Sequence, residues 1–195
     1  MRELSEKGWV SVILLAAGGS RRLGRPKQLV AIGGEPLVRR IARVAAEVAG
    51  EVIVVLGARA EEVAGALDGL AVSTVINERW EEGVGASIAC GALASRPGSA
   101  LLVLTCDQPR LTASHLAALL AAHAASGGVV ASRYAGTLGV PAVFPPALRG
   151  ALGALGGDRG AKSLLLAHQA AAIEWPAGED DIDTEADLAR LGELE

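Results

Sequence analysis

A chain of 195 residues suits one globular domain, and 51% hydrophobic against 21% charged residues excludes intrinsic disorder. The net charge of −4 gives no broad footprint for nucleic acid or an acidic membrane. Two cysteines, Cys90 and Cys106, make neither a disulfide scaffold nor a zinc site by themselves.

Residues 1–9 read as a flexible tail without a signal-peptide apolar stretch, so a cytoplasmic protein is expected. No apolar run approaches the length of a membrane span. From Ser11 onward short aliphatic runs alternate with helical patterns. SVILLAA (from Ser11) predicts the first strand. Pro36 opens a helix running to about Ala49, with Leu37, Ile41, Val44 and Val48 on one face. EVIVVLG (from Glu51), a helix near 60–67, VSTVIN (from Val72) and a helix near 86–95 follow. SALLVLTCD (from Ser99) then leads to a helix over 113–125 capped by Thr112. GVVASRY (from Gly128), helices near 145–155 and 161–168, and AAAIEW (from Ala170) come next. A helix over 185–194 closes the chain, with Thr184 and Asp187 spaced as a capping box. One Phe, one Tyr and three Trp leave the core to Val, Leu, Ile and Ala. That composition suits a three-layer α/β fold, a mostly parallel open sheet with helices on both faces. Such sheets bind ligands at the carboxyl ends of their strands, so residues just after each apolar run carry the interest.

The first run ends in LAAGGSRRLGRPKQL, where Gly18, Gly19, Ser20 and Gly24 accompany Arg21, Arg22, Arg25 and Lys27. Small residues let backbone N–H groups approach an anion, and the cations neutralise phosphate. It is neither a Walker A loop, since Arg25 stands where Lys is needed, nor a dinucleotide fingerprint. Alone it is equally a solvated basic loop. The fourth run delivers Asp107 to the crevice; facing phosphates, it calls for an intervening cation such as Mg²⁺. Read alone, Asp107 is equally the start of a turn before Pro109. Asp183 is a second carboxylate of the same kind, or simply an acid at a helix start. In the 76–92 segment, Gly83 and Gly85 precede a helix opened by Ser87, leaving room for a flat base or forming a plain loop. Glycine clusters at 18–24, 33–34, 83–85 and 156–160 read as ligand-facing loops. Of only three lysines, Lys7 lies in the tail, Lys27 in the first loop and Lys162 after the last cluster.

In this order the pieces resemble the nucleotidyltransferase family with the nucleotide-diphospho-sugar transferase fold, most nearly its molybdenum cofactor cytidylyltransferase branch. The resemblance rests on LAAGGSRRLGRPK, INERWEEGVGASIACG, CDQP, GVPAVF (139–144), GDRGA (157–161) and DIDTEADL. It spans residues 11–191, with Leu23 where the family usually has Met. It implies transfer of CMP from CTP, or another NTP, to a phosphorylated molybdopterin acceptor, with release of pyrophosphate. Backbone amides of residues 17–20 with Arg22 would hold the β- and γ-phosphates. Lys27 would sit at the α-phosphate, and Asp107 with Asp183 would hold Mg²⁺. Leu15, Ala16, Ala17, Gly24, Asn77, Gly83, Gly85 and Ser87 would complete the nucleotide site. In the family, LAAG accompanies cytidine, LAGG guanosine. Gln108 and Pro109, a turn at Gly139, Val140 and Pro141, and the Asp158–Arg159–Gly160 segment would take the acceptor. Val140 stands where many of the cofactor enzymes carry His, so a sugar or alditol phosphate remains a competing acceptor. The product would pass to an apo molybdenum hydroxylase. A non-catalytic cofactor carrier is the contrasting class, disfavoured by the set Arg22, Lys27, Asp107 and Asp183. A dehydrogenase ranks last for want of a ribose-binding fingerprint.

Overall fold

The aliphatic runs fold as expected in the computed structural model, which describes residues 9–192. The tail reading for residues 1–8 lies outside them, as does the close of the last helix. Trp9 is described, with the Arg96 guanidinium 4.0 Å over its ring. β1 (Val10–Leu15) pairs in parallel with β4 (Glu51–Leu56) on one side and β6 (Ala100–Thr105) on the other. β5 (Ser73–Ile76) extends the sheet beyond β4. Beyond β6 lie β8 (Thr137–Phe144), β7 (Val130–Tyr134) and β9 (Ala171–Glu174), giving the order β5-β4-β1-β6-β8-β7-β9. Only β8 among these runs against its neighbours. The mostly parallel sheet of the sequence reading is therefore observed.

Alternation along β1 divides the core. Val12 and Leu14 face a layer holding α1 (Leu37–Ala46), α2 (Ala60–Gly65) and α4 (Ala113–Ser126). Ile13 and Leu15 face α3 (Val84–Ala94), α5 (Arg149–Gly153) and α6 (Lys162–Ala167). Because side chains alternate across a strand, one aliphatic run supplies both layers. Thr112 caps α4 by accepting the His115 N–H at 3.3 Å. Thr184 and Asp187 form the reciprocal cap of α7 (Glu185–Gly192): the Thr184 N–H meets the Asp187 carboxylate at 2.7 Å, and the Asp187 N–H meets Thr184 Oγ1 at 3.3 Å.

Several expectations change, among them the start of α3, which opens at Val84 rather than at Ser87. The segment 139–141 is not a turn but part of β8. Ser132 pairs with Gly139 and Ala131 with Ala142, so Val140 and Pro141 bulge out between them. A proline lacks the N–H that a regular ladder requires, and a bulge relieves that demand. The glycines at 33–34 form the two-residue turn joining β2 (Ala31–Ile32) to β3 (Glu35–Pro36), both with positive φ as such hairpins need. Pro36 thus ends β3 and caps α1 rather than opening it.

The chain leaves β1 toward β4, whereas β6 lies on β1's other side. The strand order reverses there, so the carboxyl ends of β1 and β6 flank the switch point where open α/β sheets bind ligands.

Candidate functional site

β1 carries the chain to Leu15, and Ala16 and Ala17 remain buried beneath the loop that follows. Gly18 and Gly19 are exposed. Ser20, at φ 49°, turns the backbone, and its carbonyl accepts the N–H groups of Leu23 and Gly24 at 3.1 Å each. Leu23 is buried and anchors the loop to the core. A 3-10 turn, Lys27–Leu29, ends the loop.

Lys27 projects to the end of β6. Its Nζ donates to Asp107 at 2.7 Å and to Asp183 at 3.0 Å. Arg22 also pairs with Asp183, while Arg25 forms a two-pronged pair with Glu185 at 3.0 Å. The Ile182 N–H donates to the Asp107 carbonyl at 2.9 Å, binding the segment that delivers Asp183 to the strand end that delivers Asp107. Three regions far apart in sequence thus meet at the switch point. Burial by itself depresses the Lys27 ammonium. The Asp107 charge and the hydrogen bonds that the ammonium donates to Asp107 and Asp183 outweigh it, and the net shift is upward. Burial, then the charges of Asp183 and Asp107, pushes the Asp181 carboxyl up. The site therefore gathers negative charge and answers it with one largely shielded ammonium.

Two carboxylates that share one cation suit a hard divalent ion, whose ligands are oxygens. Among the described residues no group of three or more His, Cys, Asp or Glu side chains is placed to hold a metal. Asp107 and Asp183 would therefore supply two ligands, and phosphate oxygens or water the rest.

The other anticipated residues divide by what they touch. Asn77 and Ser87 are buried and hydrogen-bonded to each other at 3.1 Å, joining the 77–83 turn to α3. Gly83 and Gly85 make room for protein backbone: a Cβ on Gly83 would lie 2.5 Å from the Gly157 carbonyl, and on Gly85 2.8 Å from the carbonyls of Gly156 and Arg159. The Gly85 N–H donates to Gly157 at 2.9 Å. The 77–87 segment and the Asp158–Arg159–Gly160 segment are thereby clamped together, with Asp158 and Arg159 exposed. Gln108 is buried, and its amide donates to the carbonyls of Val140 at 3.3 Å and Gly178 at 3.2 Å. It ties the Asp107 strand end to the β8 bulge, and Pro109 is buried beside it.

Sequence reasoning missed three contributors. Gln28, fully buried, donates to the carbonyls of Ala16 at 2.8 Å and Gly18 at 2.7 Å. Trp80 lies along the same loop: a Cβ on Gly19 would sit 3.1 Å from its ring, and one on Gly57 2.6 Å from its Cβ. Tyr134 donates to the Val140 carbonyl at 2.9 Å and meets Trp175 edge-on. Behind them His115 stacks on Trp175 at 4.6 Å and bonds Ser132 at 2.8 Å; burial pushes its imidazole down to about 4. A polar residue directly after Lys27 was the available signal for Gln28.

The model of the MobA-like NTP transferase domain matches residues 12–172. The chain belongs to this family. It is accordingly a nucleotidyltransferase of the MobA-like kind, and the nucleotide-diphospho-sugar transferase fold is confirmed. The chain is 33% identical over 198 residues to a protein named nicotine blue oxidoreductase from Paenarthrobacter nicotinovorans, spanning 93% of this chain and 96% of that one. The crystal structure of Rv0371c from Mycobacterium tuberculosis H37Rv superposes with a TM-score of 0.83 at 27% identity, covering 96% of this chain and 99% of that one. The same mycobacterial protein in complex with manganese gives 0.77 at 26% identity, over 96% and 100% of the two chains. No helix among the described residues is long and apolar enough to cross a membrane.

Proposed function

We propose that the protein transfers CMP from CTP to the terminal phosphate of the molybdenum–molybdopterin cofactor. An acceptor phosphate oxygen attacks the α-phosphorus in line, the α–β phosphoanhydride bond breaks, and pyrophosphate leaves. The observation that carries this reading is the meeting of Lys27, Asp107 and Asp183 beside a glycine-rich cationic loop at the switch point. Bringing two polyanions together is the main obstacle, and fixed positive charge aimed at the developing phosphate charge lowers it. Gly18, Gly19 and Ser20 with Arg22 receive the β- and γ-phosphates, and Lys27 turns from the carboxylates to the α-phosphate. A phosphate monoester is already ionised near neutral pH, so the acceptor needs no general base. Asp107 and Asp183 would hold a divalent cation, which would supply charge neutralisation for the phosphates; the manganese complex of the mycobacterial neighbour is consistent with that. Ala17, buried at the loop's root, narrows the space beside the base and favours cytosine.

The test is pyrophosphate release across CTP, GTP, ATP and UTP with molybdopterin cofactor or a sugar phosphate as acceptor. CTP with the molybdopterin acceptor is expected to turn over fastest, and Asp107→Ala to lower that rate by orders of magnitude. Turnover with a sugar phosphate alone would overturn the acceptor. Because one relative bears an oxidoreductase name, the panel includes reduced nicotinamide nucleotides. Their oxidation without any pyrophosphate release would overturn the transferase reading for this chain.

A further inference from the structure

The Gly18–Ser20 loop is held from two sides, and one of the holders is a buried amide with no other evident task. Gln28 is 0% exposed, and both hydrogens of its Nε2 go to main-chain carbonyls of the loop, Ala16 at 2.8 Å and Gly18 at 2.7 Å. Ser20 Oγ accepts the Lys27 N–H at 3.0 Å and donates to Gln28 Oε1 at 3.4 Å, which fixes which end of the amide is the donor. Across the loop, the Trp80 ring lies so close to Gly19 that a side chain there would crowd it at 3.1 Å. In a trans peptide the C=O and N–H point in opposite directions. A Gly18 carbonyl drawn inward to Gln28 therefore turns the Gly19 N–H outward, where Gly18 and Gly19 are exposed. The bond to the Ala16 carbonyl ties the same Gln28 amide to the buried root of the loop.

We infer that Gln28 is the positioning residue of the phosphate loop: by holding two carbonyls inward it presents the loop's N–H groups to a polyphosphate. The inference rests on the reading of this loop as a polyphosphate cradle, but not on the base or the acceptor. An orientation fixed before binding costs no reorganisation when the anion arrives. A loop free to turn its peptides offers carbonyl oxygens to phosphate part of the time. Trp80 limits the opposite movement, toward β4.

The experiment compares wild type, Gln28→Met and Gln28→Asn as full-length chains. Methionine keeps the length and removes both donors, while asparagine keeps the amide but withdraws it by one methylene. Tripolyphosphate with magnesium is titrated calorimetrically, CTP likewise, and KM is measured for each substrate. Thermal midpoints establish that the variants are folded, and asparagine serves if methionine fails to fold. Affinity for tripolyphosphate and CTP is expected to fall about tenfold, the loss of one to two hydrogen bonds. Acceptor KM should stay within about twofold of wild type, because the acceptor edge is braced separately by Gln108. A folded variant that binds tripolyphosphate as wild type does would overturn the inference, as would equal losses for nucleotide and acceptor. Selective weakening of tripolyphosphate in a protein that releases no pyrophosphate with any substrate pair would uphold Gln28 and discard the transferase reading. Wild type binding neither anion would overturn both.

Discussion

Lys27 keeps its charge although its side chain is only 15% exposed, with Asp107 and Asp183 at 21% and 25%. Surface pairs such as Arg25 with Glu185, both more than half exposed, contribute about 0–1 kcal/mol because water competes well for them. The Lys27 pairs are shielded, so removing the ammonium leaves two carboxylates facing each other with the exposed Arg22 as the remaining listener on Asp183. Lys27→Met is expected to lower stability by about 2–3 kcal/mol in chelator, and millimolar magnesium should recover part of it by filling the same charge gap. Denaturant melts with and without magnesium read both effects. A variant as stable as wild type in chelator would show that the ammonium is not holding the carboxylates. Since the pKa of Lys27 is raised by folding, its contribution is full below the unfolded value of about 10.4 and is lost only as pH climbs through the folded one. Between about pH 6 and 9 the difference between the two proteins should accordingly be flat.

Helix α3 shows how packing overrides local preference. Gly91 sits inside it, where alanine would add about 1 kcal/mol of helix propensity. A Cβ there would collide with the Ile13 side chain and lie 2.9 Å from Val55, at the centre of the sheet. Overpacking of this kind costs about 1–3 kcal/mol, so Gly91→Ala is expected to destabilise by up to about 2 kcal/mol net. Urea unfolding measures it, and a gain in stability would mean that α3 can retreat from β1 freely. The same contrast explains what could be read in advance. Six strands were legible as short apolar runs; β1, β4 and β6 are aliphatic and buried on both faces, whereas the edge strands β5 and β9 are largely exposed. β8 was not: its Gly139 and Pro141 argue against a strand, and only the bulge opposite Ala131 and Ser132 makes room for them. Lys27 in the loop after β1 and Asp107 just after β6 announced chemistry by position. Gln28 and Tyr134 did not, since their value lies in carbonyls that folding brings to them. Gly83 and Gly85 were visible as a cluster, yet the reason for them, the backbone of residues 156–159, lies some seventy residues away.

For the molecule as a whole, the site joins the chain's beginning to its end. Residues 15–28 come from the first crossover, Asp107 from the strand beyond the switch point, and Asp183 from the segment before α7, held by the Ile182–Asp107 hydrogen bond. A ligand contacting all three binds the folded state and not the unfolded chain, so it stabilises the whole fold by mass action. At one hundred times its Kd that amounts to about 2.7 kcal/mol, and for a chain of this size each kcal/mol raises the midpoint by about 2–4 °C. Magnesium with CTP at such an excess should therefore raise Tm by about 5–10 °C. Magnesium with GTP should raise it less at equal concentration if the proposed preference for CTP holds. Asp107→Asn keeps the side chain's shape and removes the charge a cation requires, so the variant should fold and lose most of the magnesium-dependent rise. Scanning calorimetry of both proteins with CTP in chelator and in magnesium separates the contributions. If Asp107→Asn retained the full magnesium-dependent shift, the cation would be held elsewhere, and the convergence of Asp107 and Asp183 on Lys27 would be an ion-pair network serving the fold alone.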